Sequence, residues 1–192
     1  MKSLEIHRPK VLFDLKTGKL KSDKLVSSQK ELKQLAGVFG DEEKRLSMEQ
    51  SLVVYEVESY FPVAEGKKGG LFWGVTTIHP GKVGDEYFMT RGHFHAEPDT
   101  AEFYWGILGE GVLICMDKDG NSWAERMYPD SLHYIAGCVA HRVANTGSEP
   151  LVFGACWPSD AGHDYETINK KGFSARLVEK DGKPVLTKLE SI

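Results

Sequence analysis

The stretch GHFHAEPDTAE, residues 92–102, sets two of the chain's seven histidines one residue apart and follows them with three acids in seven positions. In an extended chain, residues i and i+2 point to the same side, so His93 and His95 project together. Two charged imidazoles on one face repel, and two buried ones desolvate poorly. A divalent cation resolves both problems, because neutral imidazole is a good ligand for Zn, Fe, Ni or Cu. Glu102 then opens the segment AEFYWGILG, in which Glu102, Tyr104, Gly106 and Leu108 are expected to share a face. A fourth candidate is His141, in GCVAHRVANTG. Three histidines and one carboxylate suit a borderline-hard dication; they would fill four of about six octahedral positions and leave two open, as a catalytic site requires and a structural zinc site does not. His133 competes for the fourth place, but its neighbours Leu132 and Tyr134 favour a packed or exposed strand position. Alone, His141 would read as a satisfied core histidine; in company with the pair and the glutamate it reads as a ligand.

The elements that must position these residues are short. Between Ser51 and Trp157 the chain runs through LVVYEVESYF, GLFWGVTTI, DEYFMT, AEFYWGILG, GVLICMD, SWAERMY, SLHYIA, HRVAN and LVFGACW, all rich in β-branched and aromatic residues. Turn signals separate them at Pro80-Gly81, Asp119-Gly120, Pro129-Asp130 and Thr146-Gly147. Many short strands at this spacing predict an antiparallel sandwich or barrel, and no helices are available for βαβ units. Upstream, KVLFDLKTGKLK predicts two short strands about a Thr17-Gly18 turn. Ser28 and Glu31 have capping-box spacing, and Leu32, Leu35, Ala36 and Phe39 recur with a helical period, so a helix ending near Gly40 is expected there. Asp41 is placed to cap a second short helix. Downstream, Asp164 and Gly172 bracket a last helix, and Asp181-Gly182 marks a closing hairpin.

The chain has 192 residues, 41% hydrophobic and 27% charged, with a net charge of −4. That predicts a single domain over residues 1–192 with a core of its own. The barrel core is expected over about 51–160, flanked by an N-terminal strand and helix arm and by a C-terminal helix and hairpin. No broad basic character points to nucleic acid, no apolar run approaches the roughly 20 residues of a membrane helix, and the start MKSLEIHRPK has no apolar leader. Three cysteines without CxxC spacing read as buried thiols. A cytoplasmic protein is expected.

The pattern G-x5-H-x-H, then Glu, then Gly, followed by G-x3-H-x3-N, resembles the two motifs of the cupins. Here it spans Gly84 to His95, Glu102 and Gly111, then Gly137, His141 and Asn145. The gap between His95 and Glu102 is longer than in most cupins, and Ala136 and Cys138 stand where prolines are usual. The stretches PGKVGDEYFMTRGHFHAEPDTAEFYWGILGEG and PSDAGHDYETINKKGFSARLVE resemble, more narrowly, the cupin-type phosphoglucose isomerases, from about Ser51 to Glu179. That resemblance implies an all-β double-stranded β-helix (cupin, jelly-roll) barrel with short N- and C-terminal helices, a homodimer, and interconversion of glucose 6-phosphate and fructose 6-phosphate. It implies one metal per subunit on His93, His95, Glu102 and His141, with Fe(II) the first expectation and Mn, Zn or Ni open.

Position suggests roles for Glu102, Tyr104, Arg91 and Tyr55, and the resemblance implies those of His163, Tyr165, Thr76, Thr90 and Gly92. Glu102 is the best-placed proton carrier at the rim of the cluster, Tyr104 shares its face and could donate to a sugar oxygen, and His163, with Tyr165, reaches over the barrel mouth to assist ring opening or proton relay. Thr76, Thr90 and the Gly92 backbone N–H are expected to hold the phosphate, with Arg91 supplying local charge or serving as an ordinary surface residue. Tyr55 is a candidate further sugar contact. Trp157 stands where these isomerases can carry a substrate-facing tyrosine. A proton-transfer route through a cis-enediolate and a direct hydride shift both fit these residues. Rival readings are an iron cupin oxygenase, a non-catalytic sugar-binding cupin and an isomerase that also takes mannose 6-phosphate.

Overall fold

Residues 4–189 are described in the computed structural model. Their strands, in chain order, are β1 (Leu12–Phe13), β2 (Leu20–Lys21), β3 (Leu25–Glu31), β4 (Val53–Tyr60), β5 (Leu71–Ile78), β6 (Lys82–Val83), β7 (Glu86–Tyr87), β8 (Glu102–Leu108), β9 (Gly111–Met116), β10 (Ser122–Met127), β11 (Leu132–Ile135), β12 (Ala140–Asn145), β13 (Leu151–Pro158), β14 (Ala175–Lys180) and β15 (Lys183–Lys188). Among the described residues the α-helices are α1 (Glu42–Ser47) and α2 (Tyr165–Lys171), and none is long and apolar enough to cross a membrane.

All strand pairings are antiparallel. A six-stranded sheet, β11-β8-β13-β5-β4-β3, faces a three-stranded sheet, β10-β9-β12, and a four-stranded one, β15-β14-β7-β6. The main core lies between them, with Val54 and Ile78 from the large sheet against Leu113, Ile114, Val143 and Leu177. This is the all-β double-stranded β-helix with short flanking helices. Strands β9 and β12 are buried along their whole length. A strand covered on both faces can present a functional group to one side and pack the other, and β12 does so with His141 and Arg142.

The outer face of the large sheet is covered by the chain's own N-terminal hairpin. Phe13 of β1 packs edge-on to Trp73 at 5.3 Å between ring centroids, and Leu20 of β2 joins Val75, Ile107 and Val152 in a second apolar cluster. Gly18, at φ +69°, makes the β1–β2 turn where a side chain would strike Val152.

Three local expectations fare differently. Asp41 does cap α1, accepting from the Lys44 N–H at 2.8 Å, and Asp164 caps α2 through the Thr167 N–H at 3.0 Å. The helix expected from Ser28 to Phe39 is instead β3 followed by one 3-10 turn, Leu32–Leu35. Residues 25–31 are paired along β4, from Leu25 opposite Tyr60 to Glu31 opposite Val53, and that ladder satisfies the backbone groups a helix would have used. Leu32 and Leu35, both fully buried, are three apart, the period of a 3-10 turn as well as of a helix face. The common face expected for Glu102, Tyr104, Gly106 and Leu108 stops at Gly106. A register shift against β13 makes Ile107 an extra residue, and Leu108 turns out to 39% exposure.

Candidate metal centre and substrate pocket

The histidine pair is held extended by hydrogen bonds on both sides. His93 and His141 exchange backbone bonds, His93 N to His141 O at 3.3 Å and His141 N to His93 O at 3.1 Å. On the other side Phe94 and Asp164 do the same, at 3.3 and 2.8 Å. The second pairing draws the DAGHDY segment across the barrel mouth, which sets the His163 ring 4.5 Å from that of His93 and stacks it on Tyr165 at 5.6 Å.

One ligand atom from each of His93, His95, Glu102 and His141 lies within 4.8 Å of all the others, so the group could hold a metal ion. Three of the four are buried. The contacts around them fit that use. His141 Nε2 lies 2.5 Å from Glu102 Oε1 yet is not aligned as a hydrogen bond and has no partner among the described residues. Its Nδ1 lies 3.1 Å from the Val139 carbonyl, and His95 Nδ1 lies 2.9 Å from the Thr100 carbonyl. A carbonyl accepts only, so each Nδ1 carries a proton and each Nε2 faces Glu102, where a cation can take the place of a second proton. Fixing the tautomer from behind in this way is how metal-binding histidines are oriented. His133 belongs elsewhere: it is buried outside the cluster, 2.6 Å from Glu125 and 2.9 Å from Ser131.

The electrostatics of the cluster without a cation are strained. Burial, and then the like charges of His141 and His163, hold His93 well below the usual imidazole range. Burial acts the same way on His95, but its contact with Glu102 outweighs it and the net shift is upward. Glu102 is pushed up by burial and down by His141 and His95, and the histidines win. Burial, reinforced by the Glu102 carboxylate, raises the Tyr104 phenol well above its ordinary value. Tyr104 is therefore a proton-bearing donor beside an ionised carboxylate.

These residues open into a cavity of about 250 Å³. Its lining includes Tyr55, Thr76, Thr90, Gly92, His163 and Tyr165 together with Tyr104 and the four clustered side chains, so these candidates, unlike His133, meet in one pocket. Burial raises Tyr55 to about 12. Thr90 has a second duty, since its hydroxyl accepts from the Val143 N–H at 3.1 Å. Gly92 sits at φ +79°, where an added Cβ would come within 2.7 Å of Phe173. Trp157 lines the same pocket, its ring lying across Gly74 and edge-on to Phe72.

Sequence reasoning missed Ser28, Lys30, Ser59 and Phe61, which also line the cavity. Ser28 and Lys30 are two apart on β3, and Lys30 is paired with Tyr55 of β4. Read as strand, LVSSQKE alternates and turns Ser28 and Lys30 to one face; the helical reading hid that signal. Arg91 lines the cavity too, and donates to Asn169 of α2 at 2.8 Å.

A family model described as glucose-6-phosphate isomerase matches residues 29–190. A glucose-6-phosphate isomerase of Thermococcus kodakarensis is 43% identical over 181 residues, covering 93% of this chain and 94% of its own. One from Pyrococcus furiosus is 41% identical over 174 residues, 90% of each chain. A solved structure of a Bacillus subtilis oxalate decarboxylase mutant is 22% identical, with a TM-score of 0.44, over 57% of this chain and 27% of that one. On the family match and the near-full-length identities, the chain belongs to the glucose-6-phosphate isomerase family.

Proposed function

We infer that this protein interconverts glucose 6-phosphate and fructose 6-phosphate, a step shared by glycolysis and gluconeogenesis, in a metal-dependent cupin barrel. The observation that carries this reading is the convergence of His93, His95, Glu102 and His141 at the floor of a pocket lined with hydroxyls and two cations, in a chain of that family. A dication held by these four groups would polarise the sugar's C1 and C2 oxygens as a Lewis acid; Fe(II) is our first assignment. Glu102 carries the proton between C1 and C2. Tyr104, kept protonated by burial and by Glu102, donates to the sugar oxygen on which charge develops. His163 and Tyr165 close over the open-chain sugar, and His163 assists ring opening. Thr76, Thr90 and the Gly92 N–H bind the phosphate, with Lys30 and Arg91 contributing charge, and Tyr55 holds a sugar hydroxyl.

We further propose a single-domain, cytoplasmic homodimer. Support for the dimer comes from the edge strand β11 and its neighbour β8, which leave Phe103, Leu132 and Tyr134 46%, 65% and 61% exposed, with the Phe103 and Tyr134 rings 5.3 Å apart. Light scattering on the purified protein gives the mass directly.

The deciding experiment is a coupled assay with fructose 6-phosphate before and after EDTA, then with Fe, Mn, Zn and Ni restored singly. Activity lost to chelation and restored by Mn(II) or Zn(II) as well as Fe(II) is the expected result, because isomerisation requires no change of oxidation state. Activity indifferent to chelation would refute the metal reading. Oxygen consumption supported by Fe(II) alone would favour an oxygenase, and sugar-phosphate binding without turnover a binding protein.

A further inference from the structure

Behind the metal centre lies a second cavity, of about 470 Å³. Strand alternation on β12 makes the connection: His141 turns toward the metal cluster and Arg142, the next residue, turns away from it. Arg142 is only 4% exposed. Its Nη2 donates to the Ala175 carbonyl at 2.9 Å and its guanidinium lies 4.2 Å over the Phe173 ring, but its Nε has no acceptor among the described residues. Arg91, Lys171 and Arg176 line the same cavity. Of the four cations, only Arg176 has a carboxylate within 4.0 Å among the described residues, Glu86 at 2.7 Å. Arg91 meets neutral partners, Asn169 Oδ1 and the Gln34 carbonyl.

Four cations gathered around one hollow against a single carboxylate among the described residues repel one another, and a buried guanidinium with an unused donor is costly to maintain. Arg142's bond to the Ala175 carbonyl and its contact with Phe173 use only part of the guanidinium, and its Nε–H is left unspent. A small anion in the cavity would neutralise the excess and accept the orphaned N–H, and guanidinium groups are well matched to phosphate oxygens. Val38, Ile168 and Phe173 give the cavity apolar wall as well, so a phosphate bearing a small organic body would fit better than a bare ion.

We propose that this cavity is a second anion site, distinct from the substrate pocket, which binds a small phosphorylated metabolite through Arg142, Lys171, Arg176 and Arg91. Two physical links join it to the chemistry. Arg91 lines both cavities. Helix α2 begins with Tyr165 at the substrate pocket and ends with Lys171 at the second site. Gly92 separates the two: a Cβ there would sit 2.9 Å from that of Arg142.

The test is equilibrium dialysis of the metal-loaded full chain against radiolabelled inorganic phosphate, with glycerol 3-phosphate as a competing organic phosphate. Two phosphates per chain are expected, one of which survives saturating fructose 6-phosphate. Lys171→Glu, at the exposed end of α2, should weaken one of the two about tenfold by reversing a nearby charge while leaving turnover unchanged. Arg142→Met should abolish the same one; if that variant fails to fold, Lys171→Glu decides alone. Glycerol 3-phosphate displacing the surviving phosphate at lower concentration than phosphate itself supports the organic ligand, and the reverse order supports free phosphate at the same site. A single phosphate per chain, or two that are both indifferent to Lys171→Glu, overturns the proposal. The weakening of one of the two bound phosphates in Lys171→Glu is read without reference to the sugar, so it stands or falls apart from the isomerase reading.

Discussion

His95 Nδ1 lies 2.9 Å from the carbonyl oxygen of Thr100 and 2.9 Å from its hydroxyl. The Thr100 hydroxyl is itself committed, donating to the Glu97 carbonyl at 2.7 Å, so it can only accept from the ring. Both contacts therefore place a proton on Nδ1 and leave Nε2, which faces Glu102, as the atom available to a cation. Thr100→Val removes the hydroxyl and keeps the carbonyl. Metal affinity should fall by about tenfold, the low end for losing such a supporting contact, with turnover at saturating metal nearly unchanged. Competition against a chromogenic chelator measures the first quantity and the coupled assay the second; unaltered affinity would show that the carbonyl alone fixes the ring.

The barrel was legible because its strands are short, β-rich and punctuated by turn residues, and the two helix caps because Asp41 and Asp164 act locally. The four clustered side chains were legible because i, i+2 geometry is intrinsic to extended chain and two motifs resemble those of known proteins. Lys30 was not, because LVSSQKELKQL carries a helical period in its leucines and a strand period in its polar residues, and only pairing with β4 decides between them. The cations behind β12 were invisible for a different reason: Arg91, Arg142, Lys171 and Arg176 come from separate elements, and nothing local says that they meet.

Lys30 projects into the substrate pocket beside Tyr55, away from the metal cluster's own elements. A positive charge there would bind the phosphate equally in ground and transition states, which affects KM more than kcat. Lys30→Met should raise KM for fructose 6-phosphate by about 5- to 30-fold, the equivalent of roughly 1–2 kcal/mol, with kcat within about twofold of the parent. A fall in kcat at constant KM would instead assign Lys30 to the reacting end of the sugar.

Glu102→Gln keeps the size of the side chain and one ligand oxygen but cannot take up a proton. If Glu102 carries the proton, kcat should fall by about 10²–10⁴, beyond what reduced metal content explains. Metal occupancy measured on the assayed sample separates the two effects. Near-normal turnover per bound metal would remove Glu102 from proton transfer and favour the hydride route.

Stripped of metal, the cluster should make the protein acid-sensitive. His93 and His163 have folded-state pKa values below the ordinary 6.5, so the unfolded chain takes up their protons first and stability is lost as pH falls below 6.5. His95 is shifted upward and works in the opposite direction, but it is one group against two, and His93 is the most strongly displaced of the three. Urea midpoints of EDTA-treated protein should therefore decline from pH 7 to pH 5, and the decline should be shallower in His93→Gln. A midpoint that rises over this interval would mean that the His95–Glu102 pair dominates.

Trp157 occupies its place in the pocket because Gly74, on the neighbouring strand β5, has no side chain. A Cβ at Gly74 would lie 2.9 Å from Trp157 Cη2 and 3.0 Å from Cζ3, both atoms of the far edge of the indole. Phe72 and Phe61 meet the same indole edge-on at 5.8 and 6.3 Å, so it has little freedom to retreat. Gly74→Ala should cost about 1–3 kcal/mol in the parent through overpacking. In Trp157→Tyr, whose single ring does not extend as far, the same change should cost less than half as much. A coupling of more than about 0.5 kcal/mol from the double-mutant cycle would tie the two positions together, whereas additive costs would mean that the indole yields and that Gly74 serves the backbone alone. The tyrosine variant also gains an acceptor that indole lacks, so a lower KM in that background would identify the position as one where this chain trades a hydrogen bond to substrate for packing against Phe61 and Phe72.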